Sequence, residues 1–273
     1  MLHSKRMIRL LLQLTVLGMG LSGYETVGNC HTPYFPMTAS TVSNNNPQDF
    51  LNQGLTKYKN GDYTGAIAAL DQALRLNPNY IDAYIIRGNA RDELGNRQGA
   101  LDDYNQVIRL DPKNASAYYN RGITHSRLGD KQSALEDYNQ AIILNPKYIN
   151  AYINRGNIRS GLGDRKNAIA DFNQAIRLNP NDASAYTNRG NVLDETGDAQ
   201  GALLDYNQAI RLNPQDAYAY YNRGITRAEL GDKQGAMTDY HQAAILAQKQ
   251  GNTDLYREIQ DNIKKLQRST NVG

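Results

Sequence analysis

The stretch Ala115–Tyr148 reads ASAYYNRGITHSRLGDKQSALEDYNQAIILNPKY, and it decides the fold because close copies of it lie on both sides. The segment AYYNRG at residues 117–122 returns at residues 219–224, and the variants AYINRG and AYTNRG begin at Ala151 and Ala185. Neighbouring copies are 34 residues apart. A fixed period of this length predicts a chain built from stacked copies of one supersecondary element.

The period begins at Pro47 and continues through six copies, which we number repeats 1 to 6, with positions counted from 1 to 34 in each. The repeats span residues 47–80, 81–114, 115–148, 149–182, 183–216 and 217–250. Every repeat has glycine at positions 8 and 15, and the first five have proline at position 32. Between these residues apolar side chains recur at helical spacing, as at Ala134, Tyr138 and Ala141. The pattern predicts a helix, a glycine turn, a second helix and a proline turn in each repeat.

The period, the terminal proline and the small residues at positions 8, 20 and 27 together resemble the tetratricopeptide repeat family. In repeat 3 those small residues are Gly122, Ala134 and Ala141. The resemblance covers residues 47–250 and implies an all-α fold, a right-handed superhelical α-solenoid of antiparallel helix pairs. Repeat 6 lacks the proline, so we expect the chain to run on into a capping helix over residues 251–268 and a tail over 269–273.

The N-terminal 46 residues precede the repeats and differ from them in composition. Residues 1–22 begin with basic residues and continue into an apolar run of signal-peptide length, shorter than the roughly 20 residues that span a bilayer. We expect an export signal or an uncleaved membrane anchor, which places the protein outside the cytoplasm, periplasmic or extracellular, or at a membrane through this segment alone. Residues 23–46 are predicted to be a flexible linker, in which Cys30 is a free thiol or a lipidation site.

Composition excludes several classes of function. Residues 47–273 carry 27 basic and 26 acidic side chains, so no basic surface for nucleic acid is expected. One cysteine and four scattered histidines predict no metal site, and no phosphate loop or catalytic triad pattern is present, so we expect no cofactor. Nothing outside the repeats is long enough for a catalytic domain, and the chain is predicted not to be an enzyme.

Arginine occupies position 7 in repeats 2 to 6, and the same five repeats have aspartate at position 23. Repeat 1 has neither residue, which predicts that the two types form structural ion pairs. The predicted pairs are Arg87 with Asp103, Arg121 with Asp137, Arg155 with Asp171, Arg189 with Asp205, and Arg223 with Asp239. Pairing within one repeat or forward into the next both remain open, since Arg257 falls at position 7 of a seventh copy.

The resemblance also implies that positions 2, 5, 6, 9, 12 and 13 line a concave groove. Amides recur there, and a row of them can bond the main chain of an extended peptide. The expected peptide-binding residues are Asn52, Asn89, Tyr119, Asn120, Asn154, Asn157, Asn188, Asn191, Tyr218, Tyr221 and Asn222. The row resembles the asparagine ladder of the repeat domain of O-linked N-acetylglucosamine transferases, although recent duplication of the repeats would leave the same pattern.

The sequence therefore predicts a non-enzymatic scaffold for protein–protein interaction, with an extended peptide or partner protein bound in the groove. The alternative is a structural component of a membrane-associated complex that uses the convex or terminal surfaces.

Overall fold

The computed structural model of the chain describes residues 46–270, with side chains for residues 46–268. The predictions for residues 1–22, for the linker before residue 46, for Cys30 and for the last three residues lie outside the described residues. Within residues 46–270, no helix combines the length and the apolar character needed to cross a membrane.

Thirteen α-helices make up most of residues 46–270, and no strand occurs in that range. They are α1 (Pro47–Lys59), α2 (Tyr63–Leu76), α3 (Ile81–Glu93), α4 (Arg97–Leu110), α5 (Ala115–Arg127), α6 (Lys131–Leu144), α7 (Ile149–Gly161), α8 (Arg165–Leu178), α9 (Ala183–Glu195), α10 (Ala199–Leu212), α11 (Ala217–Glu229), α12 (Lys233–Lys249) and α13 (Thr253–Thr270). In every repeat the first helix begins at position 1 and the second at position 17. The predicted all-α solenoid of helix pairs is confirmed.

The turn inside each repeat depends on glycine at position 15. At Gly197 the backbone has a φ of +90°, a left-handed conformation that a side chain would strain. The next residue, Asp198, caps α10, because its carboxylate accepts a 2.9 Å hydrogen bond from the backbone N–H of Gly201. The Gly-Asp pair therefore ends one helix and starts the next.

The turn between repeats depends on the Asn-Pro or Asp-Pro pair. Asn213 adopts an extended backbone with φ −134°, as expected for a residue before proline, and Pro214 cannot continue a helix. The side chain of Asn213 accepts a 3.1 Å bond from the backbone N–H of Gln215 and closes the turn. Repeat 6 has no proline, and its second helix α12 is correspondingly longer, at 17 residues.

Small residues bring the two helices of a repeat close together around an aromatic ring. A Cβ atom at Gly190 would lie 2.8 Å from Cε1 of Tyr206, which is fully buried. Gly88 bears the same relation to Tyr104, and Gly156 to Phe172. Position 8 is therefore glycine because the ring at position 24 occupies the space of a side chain.

The helices form two compact units, residues 46–129 with α1–α5 and residues 130–270 with α6–α13. In the second unit α7 contacts α9, and α9 contacts α11, while each packs against the second helix of its own repeat. In the first unit α1, α3 and α5 make the equivalent contacts. We call these two sets of helices the first-helix layer of their unit.

The C-terminal helix α13 covers the end of the second unit. Its residues Leu255, Ile259, Ile263 and Leu266 are buried at helical spacing and pack on α11 and α12. The predicted capping helix is present, but it continues to Thr270, so residues 269 and 270 belong to the helix and not to the expected tail.

Candidate interaction surface

Arginine at position 7 joins three helices. In repeat 4, Arg155 on α7 donates from Nε to Asp171 Oδ2 at 3.0 Å and from Nη2 to Asp171 Oδ1 at 2.6 Å. Its Nη1 donates to Oδ1 of Asn139, on α6 of the preceding repeat, at 2.6 Å. The guanidinium also lies 5.5 Å from the ring centroid of Tyr152. One side chain therefore ties its own repeat together and links it to the one before.

The contacts with tyrosine and with position 25 recur in the other repeats that have Arg at position 7. Each of these arginines stacks on the tyrosine three residues earlier. The pairs Arg87–Asp103, Arg189–Asp205 and Arg223–Asp239 form within one repeat. In repeat 3, Arg121 lies in the first unit, where it donates to Asn105. Its predicted partner Asp137 lies in the second unit. The arginine also donates to the residue at position 25 of the preceding repeat. This acceptor is asparagine for Arg189 and Arg223 and is Asp71 for Arg87.

The alternative of forward pairing is wrong for the last repeat. Asp239 is 1% exposed and binds Arg223 and Arg227 of its own repeat. Arg257 is exposed and pairs with Asp254 on its own helix. The pairs therefore hold the hairpins of repeats 2, 4, 5 and 6 together, and the contact with the preceding repeat comes from position 25, which is Asp71 in repeat 1 and asparagine in repeats 2 to 5.

Opposing effects act on the pKa of Arg87 in this network. Burial acts to lower the pKa of Arg87, but hydrogen bonds and charges from Asp103 and Asp71 outweigh it and raise that pKa. Asp103, Asp171 and Asp239 each accept a second arginine from position 11. A carboxylate buried with two guanidinium groups is a structural centre and offers nothing to a ligand.

The predicted row of amides divides into two sets. Asn188, Asn191 and Asn222 are buried, at 7%, 6% and 3% exposure. The remaining five keep part of the side chain exposed, namely Asn52, Asn89, Asn120, Asn154 and Asn157. The expectation of a continuous open row is therefore wrong for the three buried members, because the first helices approach closely enough to enclose them.

Two of the junctions between first helices use the amides for a short chain of hydrogen bonds, which we call the amide relay. At the α9–α11 junction, Oδ1 of Asn191 accepts from the Tyr206 hydroxyl at 2.9 Å and from Nδ2 of Asn222 at 2.8 Å. At the α3–α5 junction, Asn89 accepts from Tyr104 at 2.7 Å and from Asn120 at 3.2 Å. Burial raises the pKa of the Tyr104 hydroxyl well above its ordinary value, so it remains a donor. These amides hold neighbouring repeats together.

The three aromatic side chains expected to anchor a ligand are also engaged. Tyr119 and Tyr221 are buried, at 8% and 3% exposure. Tyr221 donates from its hydroxyl to Glu258 at 2.8 Å and accepts from Asn262, both on α13. The Tyr218 hydroxyl accepts from Asn252 at 3.0 Å. The expectation of open anchors is wrong at Tyr221 because the capping helix covers it.

The second unit nevertheless has one stripe of amides that remain partly accessible to solvent. Asn150, Asn154 and Asn157 lie at positions 2, 6 and 9 of α7, a spacing that places them on one face of the helix, and all three are half-buried. Sequence reasoning omitted Asn150, although position 2 belongs to the groove positions of the family. Across the described residues, no group of three or more His, Cys, Asp and Glu could hold a metal ion.

The sequence of the chain matches known models of helical repeats. The TPR repeat matches residues 54–95, 88–129, 157–197 and 190–231, and the tetratricopeptide repeat also matches residues 115–148. The chain belongs to the tetratricopeptide repeat family. The repeats of this family serve typically as scaffolds for protein–protein interaction, and no curated protein matches the chain closely enough to say more.

Solved tetratricopeptide repeat structures resemble the chain. The MamA protein is 26% identical, with a TM-score of 0.55, and the match covers 63% of this chain and 93% of MamA. YrrB, described as a TPR protein with an unusual peptide-binding site, is 23% identical, with a TM-score of 0.56, covering 71% of this chain and 98% of YrrB. The pilF protein of Pseudomonas aeruginosa is 19% identical, with a TM-score of 0.68, covering 79% and 97%. The last two show the fold alone.

Proposed function

We propose that this tetratricopeptide repeat chain is a non-enzymatic scaffold that binds an extended peptide, or an extended segment of a partner protein, on the first-helix layer of its second unit. The observation that carries the proposal is the stripe of half-buried amides Asn150, Asn154 and Asn157 along α7. An amide side chain both donates and accepts, so the stripe matches the alternating N–H and C=O groups of an extended main chain.

The charges of the repeats agree with a neutral ligand. Residues 47–273 carry a net charge of +1, which argues against a polyanion such as nucleic acid. The half-buried arginines and buried aspartates described above bind one another within the hairpins. Export or membrane anchoring would act through residues 1–22 alone and remains part of the proposal.

The experiment is capture of partners by chemical crosslinking with the full chain as bait. Changing Asn154 and Asn157 to alanine removes two amides from the stripe, and we expect the captured partner to be lost. The matched control changes Gln140 and Gln174 to alanine, since these amides lie on the second helices α6 and α8. Equal capture by both variants would contradict the proposal.

A second candidate is assembly through the second helices. Ile143, Leu204 and Ile245 are 70%, 70% and 60% exposed, and all three lie on second helices of the second unit. Position 29, which holds Ile143 and Ile245, is arginine in the other four repeats. Changing both isoleucines to arginine would abolish capture if the outer surface is the interface, while the Asn154 and Asn157 changes would leave capture intact.

A further inference from the structure

The second helices of the second unit expose one stripe of side chains, formed by positions 18, 22, 25 and 29 of each repeat. This spacing places the four positions on one side of a helix. The buried residues at positions 20, 24 and 27, such as Ala202, Tyr206 and Ala209, occupy the opposite side, where Tyr206 packs against Gly190 of α9. We call the stripes on α6, α8, α10 and α12 together the outer face of the second unit. It faces away from the first-helix layer.

Large apolar side chains lie on the outer face without forming one cluster. Ile143, Leu204 and Ile245 are 70%, 70% and 60% exposed, and they lie on three different helices. At position 29 the order along the unit is Ile143, Arg177, Arg211 and Ile245, so two arginines separate the two isoleucines. A protein partner is usually held by a compact central group of anchors, whereas the interface of a bilayer accepts apolar side chains one by one.

Cations predominate on the same face. Arg177 and Arg211 donate to the neutral side chains of Gln174 and Gln208, and among residues 46–268 neither arginine forms an ion pair with a carboxylate. At positions 18, 22, 25, 29 and the adjacent 33 of repeats 3 to 6, one carboxylate, Glu136, is accompanied by the exposed cations Lys147, Lys166, Arg177, Arg211 and Lys249. The near-neutral charge of the repeats is therefore unevenly distributed, and this face complements an anionic surface.

The first unit differs at the same positions. Across residues 46–129, positions 18, 22, 25 and 29 of the second helices hold no large apolar side chain, and Arg75 and Arg109 are matched by Asp71 and Asp102. Each of these two arginines bonds the glutamine three residues earlier, as Arg177 and Arg211 do. The arginine at position 29 is thus common to both units, whereas its combination with exposed isoleucine and leucine belongs to the second.

We propose that the outer face of the second unit docks on an anionic lipid bilayer. The three apolar side chains enter the boundary between headgroups and acyl chains, and the exposed cations bind the lipid phosphates. A bilayer fits this face better than a nucleic acid, since the phosphate backbone attracts the cations but leaves Ile143, Leu204 and Ile245 in water. The docking needs neither residues 1–22 nor a peptide on the first-helix layer.

The absence of tryptophan from the sequence allows a local test, because one introduced tryptophan reports its own surroundings. Leu204→Trp places it on the outer face, and Ala68→Trp places it at the exposed position 22 of repeat 1. With vesicles of phosphatidylcholine and phosphatidylglycerol, we expect the emission of full-length Leu204→Trp to shift to shorter wavelength and to be quenched by brominated acyl chains. The emission of Ala68→Trp should not change.

An unchanged emission from Leu204→Trp would overturn the proposal, whether or not the chain sediments with the vesicles, because any membrane contact would then lie elsewhere. An equal shift for Ala68→Trp would overturn it as well, since the contact would not be specific to the outer face. An equal shift with vesicles of phosphatidylcholine alone would contradict the role of the cations.

Charge variants in the Leu204→Trp background test those cations. Arg177→Gln with Arg211→Gln should weaken vesicle binding about tenfold or more, because both arginines lie where the anionic surface would be. The matched control, Arg75→Gln with Arg109→Gln, removes the same charge from the first unit and should leave affinity within about twofold, since salt screens charges away from the contact. Equal weakening by the two pairs would contradict docking through the outer face.

Two further outcomes would assign the outer face to another partner and overturn the proposal. A shift of the Leu204→Trp emission with double-stranded DNA, at least as tight as with vesicles, would indicate a nucleic acid. A shift that grows with protein concentration in the absence of vesicles would indicate a second copy of the chain. Both leave the proposed function standing, because Asn154 and Asn157 lie on α7 in the first-helix layer.

Discussion

Arg155 and Asp171 face each other across one helical hairpin, joined by two parallel hydrogen bonds of 3.0 and 2.6 Å. Asp171 is 3% exposed, and the pair lies against the ring of Tyr152 on one side and Asn139 of the preceding repeat on the other. The arginine that precedes the position-8 glycine in repeats 2 to 6 is therefore a connector, and in Arg155 each of the three guanidinium nitrogens donates a hydrogen bond.

Changing Asp171 to alanine should lower the free energy of unfolding by about 3–5 kcal/mol, because Arg155 and Arg159 are left as buried charges without their carboxylate. Urea denaturation followed by circular dichroism measures the loss. The control is Asp164→Ala, which removes the N-cap of α8 and an exposed bond from the Asn167 side chain and should cost about 1 kcal/mol. Equal losses for the two variants would contradict a buried ion pair.

Changing Asn139 to alanine tests the link between repeats 3 and 4. Nη1 of Arg155 would lose its acceptor, and we expect a loss of about 1–2 kcal/mol in the free energy of unfolding. Gln140→Ala, one residue along the same helix, should change stability by less than about 0.5 kcal/mol. A double-mutant cycle with Asp171→Ala should show coupling, because both residues bind one guanidinium, and additive effects would refute the shared network.

Asp216 caps α11 and accepts hydrogen bonds from the backbone N–H groups of Tyr218 and Ala219 and from the Thr187 hydroxyl. Burial raises the pKa of Asp216 above its ordinary value of 3.8, and these hydrogen bonds oppose the rise only in part. A carboxyl with a raised folded pKa contributes stability below its unfolded pKa and loses it as pH rises through the folded value. Asp216→Asn keeps the cap without a charge, so its stability relative to the wild type should increase from acidic to neutral pH.

Urea denaturation of both proteins across the range from about pH 3.5 to pH 7 measures this trend. Asparagine is an adequate substitute, since Asn114 caps α5 at the same position of repeat 2 with a 3.0 Å bond to the backbone N–H of Ala117. If the Asp216→Asn variant instead loses stability relative to the wild type as pH rises, the carboxylate is favoured by its surroundings and the prediction is wrong.

Changing Ile259 to alanine should destabilise the second unit by about 2–5 kcal/mol, because the side chain is fully buried where α13 caps the stack. Ile245→Ala is the matched control, since this isoleucine is 60% exposed on α12 and its truncation should cost well under about 1 kcal/mol. Thermal unfolding followed by circular dichroism distinguishes them. Similar small effects would mean that α13 is not needed to close the stack.

Much of the fold could be predicted because it depends on local chemistry that recurs at a fixed period. Gly197 and Asp198 mark a left-handed turn and an N-cap, and Asn213 with Pro214 marks an extended exit from a helix. The joint occurrence of Arg155 and Asp171, and the absence of arginine and aspartate from positions 7 and 23 of repeat 1, predicted that they interact. Asparagine also recurs at position 25, as at Asn139. Its role as a hydrogen-bond acceptor for the arginine of the next repeat could be recognised only once the structure placed that arginine.

The exposure of the amides could not be predicted in the same way. Asn154 and Asn222 occupy the same position of the repeat, yet the first is half-buried and the second is 3% exposed and bonded to Asn191. The difference arises from side chains on neighbouring helices, which a single repeat does not contain. The cover over Tyr221 likewise comes from α13, 37 residues further along the chain at Glu258.

The amino-acid sequence alone determined the helical hairpins and the two residue types that pair, since these depend on a pattern that recurs every 34 residues and on backbone preferences that act locally. That the pairs of repeats 2, 4, 5 and 6 form within one repeat was decided by the tertiary structure. Only the tertiary structure decided which amides join neighbouring repeats and which stay on the surface. The reason is that a hydrogen bond between first helices requires a hydroxyl or an amide supplied by a different repeat.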